Sequence, residues 1–163
     1  MCNKTGKVML IDDDAMLTKS MRLYLERKFP NLFIDCYDNT VDAMERLLSA
    51  EEGNMPYHVV VCDMDIGEVE DGKKMEIWMS VNNISAVFRI MSAHDYSSID
   101  YPDYFKKPIE FEPFYKFLSA SIMGANMAPQ FDIIERMQRT TQLINETYEK
   151  LSGELILNGL RTS

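Results

Sequence analysis

His58-Val59-Val60-Val61-Cys62-Asp63 is the stretch on which the reading of this chain turns. From Val59 to Cys62 it is apolar throughout and rich in β-branched residues, and then it stops at a carboxylate. Strands that lack an alternating polar face belong to parallel sheets covered on both sides. A carboxylate at the end of such a strand is in a special place, because open α/β sheets bind ligands beyond the carboxyl ends of their strands.

Working outward toward the N-terminus, Lys7 to Ile11 is a second apolar run of strand length, ended by Asp12-Asp13-Asp14. Met16, Leu17, Met21, Leu23, Leu25 and Phe29 then recur at helical spacing until Pro30 stops the pattern. Leu32 to Tyr37 reads as a strand. Thr40 is the expected N-cap of a helix carrying Val41, Met44, Leu47 and Leu48, and Gly53-Asn54 and Pro56 mark a loop. Toward the C-terminus, a polar loop from Asp63 to Gly72 leads into a helix over Lys73 to Asn82. Ala86 to Met91 and Tyr104 to Lys107 read as the last two strands, and Pro113 suits the first turn of a helix to about Met123. Strands alternating with helices predict an α/β fold, a doubly wound five-stranded parallel sheet with right-handed crossovers.

Residues 1–124 make one domain on this reading, and 125–163 a helical extension. Gly124-Ala125-Asn126 is the break. After Pro129, the residues Ile134, Met137, Thr141, Ile144, Tyr148, Leu151 and Leu155 alternate spacings of three and four, close to a heptad seam. The expected use of that helix is a homodimer or a docked partner protein, with packing back on its own domain as the alternative.

Composition narrows the function classes. The 163 residues carry 26 acidic and 17 basic side chains, a net charge of −9, which disfavours phosphate backbones; nucleic-acid binding is not expected. No apolar run nears the ~20 residues of a membrane span, and Met1 to Lys7 shows no secretory pattern, so a cytoplasmic protein is expected. Cys2, Cys36 and Cys62 are too few and scattered for a disulfide framework or zinc site. Cys36 and Cys62 read as small hydrophobes within strands. His58 and His94 read as ordinary surface or edge residues, and the thirteen methionines as core filler.

Four features fall at strand ends: Asp12-Asp13, Asp63, Ser92-Ala93 and Lys107-Pro108. In a doubly wound sheet they converge on one pocket. Three carboxylates in a cleft repel one another unless a cation neutralises them. Oxygen ligands without His or Cys favour a hard ion, Mg2+ above all. Asp63 can then act as a nucleophile toward phosphorus, Lys107 can neutralise phosphate charge, and the Ser92 hydroxyl can hydrogen-bond a phosphoryl oxygen.

These residues carry a family resemblance over residues 7 to about 123. Val8-Met9-Leu10-Ile11-Asp12-Asp13-Asp14 resembles the acidic first strand of two-component response regulators. Val59-Val60-Val61-Cys62-Asp63, with Gly72 downstream, is similar to their phosphoacceptor strand and loop. Ile90-Met91-Ser92-Ala93 resembles their hydroxyl-alanine motif, and Tyr104-Phe105-Lys106-Lys107-Pro108 their lysine-proline motif. The resemblance implies a receiver domain of flavodoxin-like fold. It implies Mg2+ held by Asp13, Asp63 and the backbone carbonyl of Asp65, with Asp12 nearby, and phosphate accepted on Asp63 from a histidine kinase or histidine phosphotransfer protein. Ser92 and Tyr104 become the implied switch pair, and the only catalysis is self-catalysed transfer to and loss from Asp63, so no turnover enzyme is expected.

The chain departs from the pattern twice. The loop between Asp63 and Gly72 is one residue longer than usual, and Ile66-Gly67 replaces the common methionine-proline pair. Only twelve positions separate Ser92 from Tyr104, so the helix the family fits there is expected to be shortened or missing. About forty residues follow the receiver segment, too few for a DNA-binding or enzymatic output domain, and output through protein contacts is expected. Two other readings stand beside this one. Asp63-Met64-Asp65 also resembles the nucleophile motif of haloacid-dehalogenase-type phosphatases, with Asp65 as general acid, although that motif normally sits on a first strand. The third is a receiver-like dimerisation or docking module that is never phosphorylated.

Overall fold

A computed structural model describes residues 6–67, 71–94 and 104–124 of the chain. All of them fall in one compact unit, Met1–Pro129. The elements in chain order are β1 (Lys7–Ile11), α1 (Ala15–Lys28), β2 (Phe33–Tyr37), α2 (Thr40–Glu52), β3 (Val59–Asp63), α3 (Asp71–Val81), β4 (Val87–Ser92), β5 (Tyr104–Lys106) and α4 (Phe111–Gly124). The five strands form one parallel sheet in the order β2-β1-β3-β4-β5. The doubly wound sheet expected from the sequence is therefore present.

β3 is buried along its whole length, as its unbroken apolar run requires, and lies in the middle of the sheet. β1 beside it is buried from Val8 to Ile11. Val8, Leu10, Val59, Val61 and Met91 pack with Met21 and Leu25 of α1 and with Phe114 and Leu118 of α4. Six methionines, Met9, Met21, Met64, Met75, Met79 and Met91, are among the large side chains fully shut from water. Unbranched and adaptable, Met fills irregular gaps in such a core. The aromatic rings of Phe105, Phe114 and Phe117 meet edge to face under β5.

Several local expectations need correction. The N-cap of α2 is Asn39, not Thr40: Asn39 is extended (φ −148°, ψ 158°) and its Oδ1 accepts the Asp42 N–H at 2.9 Å. A cap must reach an amide two or three residues on, and Asn39 does so while Thr40 becomes the first helical residue. Helix α3 starts at Asp71, two residues before the predicted start, and β4 and β5 each end one residue from the predicted bound. Cys62 is buried as expected, but Cys36 on the edge strand β2 is only partly so. His58 is no bystander, since its Nδ1 accepts the Lys7 N–H at 3.2 Å and ties the start of β3 to that of β1. The segment of the expected shortened helix, 95–103, and the extension 125–163 lie outside the described residues. Among the described residues, no helix is long and apolar enough to cross a membrane.

Candidate functional site

Strand register sets the site. Ile11 pairs with Cys62 and Asp63 with Met91, so Asp12 leaves β1 where Asp63 ends β3. Ser92 ends β4 opposite Lys106, and the Lys107 N–H donates to the Ser92 carbonyl at 2.7 Å. That bond delivers the Lys107 side chain, not that of the exposed Lys106, to the pocket. Lys107 Nζ lies 2.7 Å from Asp12 Oδ2 and 3.0 Å from Asp63 Oδ2. The Lys107–Pro108 peptide is cis.

Asp12, Asp13 and Asp63 each bring a carboxylate oxygen within 4.8 Å of the other two. Asp12 and Asp63 are buried and Asp13 is exposed, so the cluster opens to water on the Asp13 side. Asp12 Oδ1 accepts the Asp14 N–H at 2.8 Å; its buried Oδ2 has the Lys107 ammonium as ion-pair partner and no well-directed hydrogen bond. Asp14 turns away to cap α1, taking the N–H groups of Met16 and Leu17. Asp13 Oδ2 accepts the Gly67 N–H at 3.3 Å.

Burial pushes the Asp63 carboxyl above the ordinary carboxylate range; the hydrogen bond from Lys107 works against that and Asp12 adds to it. Burial alone would lower Lys107, but the Asp12 and Asp63 carboxylates beside it outweigh that and hold the ammonium above its usual value. One lysine thus serves two buried carboxylates while a third stands at the rim. Such a set needs two further positive charges to be neutral. Carboxylate oxygens without imidazole or thiolate suit a hard divalent ion, and the open Asp13 edge gives it a way in. The residues present therefore fit Mg2+.

One glycine sets how closely α3 follows Asp63. A Cβ on Gly72 would stand 2.7 Å from the Asp63 carbonyl oxygen and 2.9 Å from Met64 Cα, so α3 can start this close to β3 only with glycine there. The Gly72 N–H donates to the Met64 carbonyl at 3.0 Å and closes the loop. The Met64 N–H donates to the Met91 carbonyl at 2.8 Å, and the Cys62 thiol donates to the Asp63 carbonyl at 3.2 Å.

The predicted site residues thus divide. Asp12, Asp13, Asp63 and Lys107 come together. Ser92 is fully buried at the neighbouring strand end, where its Oγ accepts the His94 N–H at 3.0 Å. Tyr104 stands on β5 opposite Ile90, half-buried. The Asp65 carboxylate is not part of the three-carboxylate cluster, which leaves only its backbone carbonyl as a possible donor. The Gly67 N–H on Asp13 was not foreseen from the sequence; the one available sign was Ile66-Gly67 in a loop where response regulators commonly carry methionine-proline.

No protein-family model matches the chain, and no curated protein does. Solved structures do match. The signal receiver domain of a putative Luxo repressor protein from Vibrio parahaemolyticus is 17% identical with a TM-score of 0.63, over 76% of this chain and 94% of that one. The two structures share their fold. This is the receiver fold. A two-component response regulator from Clostridium difficile is similar at 18% identity and TM-score 0.62, over 75% of this chain and 99% of its own. A response regulator receiver protein from Sinorhizobium medicae gives 18% and 0.59, over 77% and 98%. At these identities the likeness carries the receiver fold alone.

Proposed function

We propose that the chain is a signalling receiver that accepts a phosphoryl group on Asp63 from a phosphohistidine of a kinase or phosphotransfer protein. The observation that carries this reading is the Lys107 ammonium shared between buried Asp12 and Asp63 beside the open carboxylate of Asp13. An Asp63 oxygen attacks phosphorus; the new O–P bond forms as the N–P bond breaks, and the histidine nitrogen leaves with the bonding pair. Lys107 holds the acceptor in place and meets the charge that gathers on the phosphoryl oxygens. The Ser92 hydroxyl, whose Oγ accepts the His94 N–H, would donate its O–H to a phosphoryl oxygen, with Tyr104 on the adjacent strand as its switch partner. Asp12, Asp13, Asp63 and the Asp65 carbonyl would hold Mg2+, which when bound neutralises this cluster and the incoming oxygens.

Transfer is stoichiometric on this reading, and the chain is not a turnover enzyme. Asp63 ends the third strand of the chain, not the first, which speaks against the dehalogenase-type phosphatase arrangement. Output would come through protein contacts, with 125–163 pairing two copies or docking on a partner. The test is incubation with acetyl phosphate and intact-mass measurement. One added phosphoryl group that needs Mg2+ and is absent from Asp63→Asn supports the proposal; equal incorporation by Asp63→Asn would sink it.

A further inference from the structure

Gly67 is the one glycine in the described residues with positive φ, at +74°. Packing does not demand it, since a Cβ there would meet nothing within 4 Å. What the conformation achieves is direction: the Gly67 N–H points at Asp13 Oδ2, 3.3 Å away. Met64, three residues before Gly67, is held by its N–H on the Met91 carbonyl and by the Gly72 N–H on its own carbonyl. Asp13 is the exposed member of the carboxylate cluster, and neither Asp12 nor Asp63 leaves it the lysine as a partner. An exposed carboxylate keeps its rotamer freedom unless something holds it. A proline in this place would have no N–H to give.

We infer that Gly67 is a positioning residue for the cation, its backbone N–H holding the Asp13 carboxylate toward Asp12 and Asp63 so that the three bind a divalent ion together. The inference rests on the reading of the cluster as a Mg2+ site and makes Gly67 part of that site. Holding Asp13 by a backbone donor restricts its carboxylate before the ion arrives, and a pre-oriented ligand costs less to bind.

Because the Cβ position is open, Gly67→Ala strains only the backbone, while Gly67→Asn suits the left-handed region that asparagine visits readily. The experiment measures Mn2+ binding to the full chain, by the electron paramagnetic resonance signal of the free ion, with competition by Mg2+. Melting in EDTA is recorded alongside. Gly67→Ala should bind about tenfold more weakly, the usual cost of removing a hydrogen-bond partner from a metal ligand. Its ion-free melting should fall only by the strain of one residue at positive φ, and Gly67→Asn should stay within about twofold of wild-type affinity. Wild-type affinity in Gly67→Ala, or equal weakening in both variants, would overturn the inference while leaving the site reading intact. If Gly67→Ala melts early, Gly67→Asn decides alone: retained affinity supports the inference and lost affinity overturns it. Absence of binding by the wild-type chain would instead overturn the site reading itself.

Discussion

Two polar clusters flank the central strands of this sheet, and they are built on opposite terms. Around Tyr57, just before β3, the polar groups are matched. The Tyr57 hydroxyl donates to Asp35 Oδ2, Arg46 stands 3.9 Å from the same oxygen, and the Lys7 ammonium lies 4.1 Å from the centre of the Tyr57 ring. Nearby, Glu51 takes both the N–H and the hydroxyl of Ser85. At the far end, around Asp63, one ammonium serves two of three clustered carboxylates, and a buried oxygen of Asp12 lacks a well-directed hydrogen bond. The first arrangement closes on itself and ties an edge strand to α2. The second is left with surplus negative charge, and a fold keeps such a surplus where something binds.

Changes that break this contrast should differ in size and even in sign. The largest effect is expected from Lys107→Met, which strands two buried carboxylates. Removing one partner of a buried pair costs about 3–5 kcal/mol, so the urea midpoint at pH 7 should fall steeply, with added Mg2+ recovering part of the loss. At the matched cluster, Tyr57→Phe removes one hydrogen bond to a half-exposed acceptor and should cost about 1 kcal/mol in the same assay.

The opposite sign is expected from Asp63→Asn, which should stabilise the ion-free protein at pH 7 by about 1 kcal/mol, as relief of functional-site strain commonly does. The pH dependence follows from the raised Asp63 pKa. A carboxyl held above its unfolded value contributes stability below that unfolded value and loses it as pH rises through the folded one. The advantage of the Asn variant should therefore vanish in acid. A smaller effect belongs to His58, whose pKa burial lowers and whose Nδ1 must stay unprotonated to accept the Lys7 N–H. Stability should be full above the unfolded histidine value near pH 6.5 and decline as pH falls through the lower folded value. His58→Gln should flatten that slope in melting curves taken between pH 7 and pH 5.

Much of this was legible in the chain itself, for a physical reason. Val59 to Cys62 and Val8 to Ile11 are buried on both faces, so their runs are unbroken and their acidic ends stand out. Pro108 after Lys107 fixed which lysine reaches the pocket. What stayed hidden depends on backbone direction and distant pairing. Asn39 and Thr40 are both good caps, and only the extended Asn39 backbone decides between them. Tyr57 and Asp35 are 22 residues apart with no local pattern to join them. The bond from Gly67 to Asp13 spans 54 residues and needs a φ that residue type permits but does not dictate.

On the proposed function, one oxygen of Asp63 is the place where phosphorus is held. Borohydride reduces an acyl phosphate of aspartate to homoserine, so the wild-type chain can be treated with acetyl phosphate and Mg2+, reduced, digested and sequenced by mass. Homoserine at position 63 and at no other acidic position is the predicted result. Homoserine at Asp12 or Asp13, or none anywhere after verified exposure to donor and ion, would contradict it.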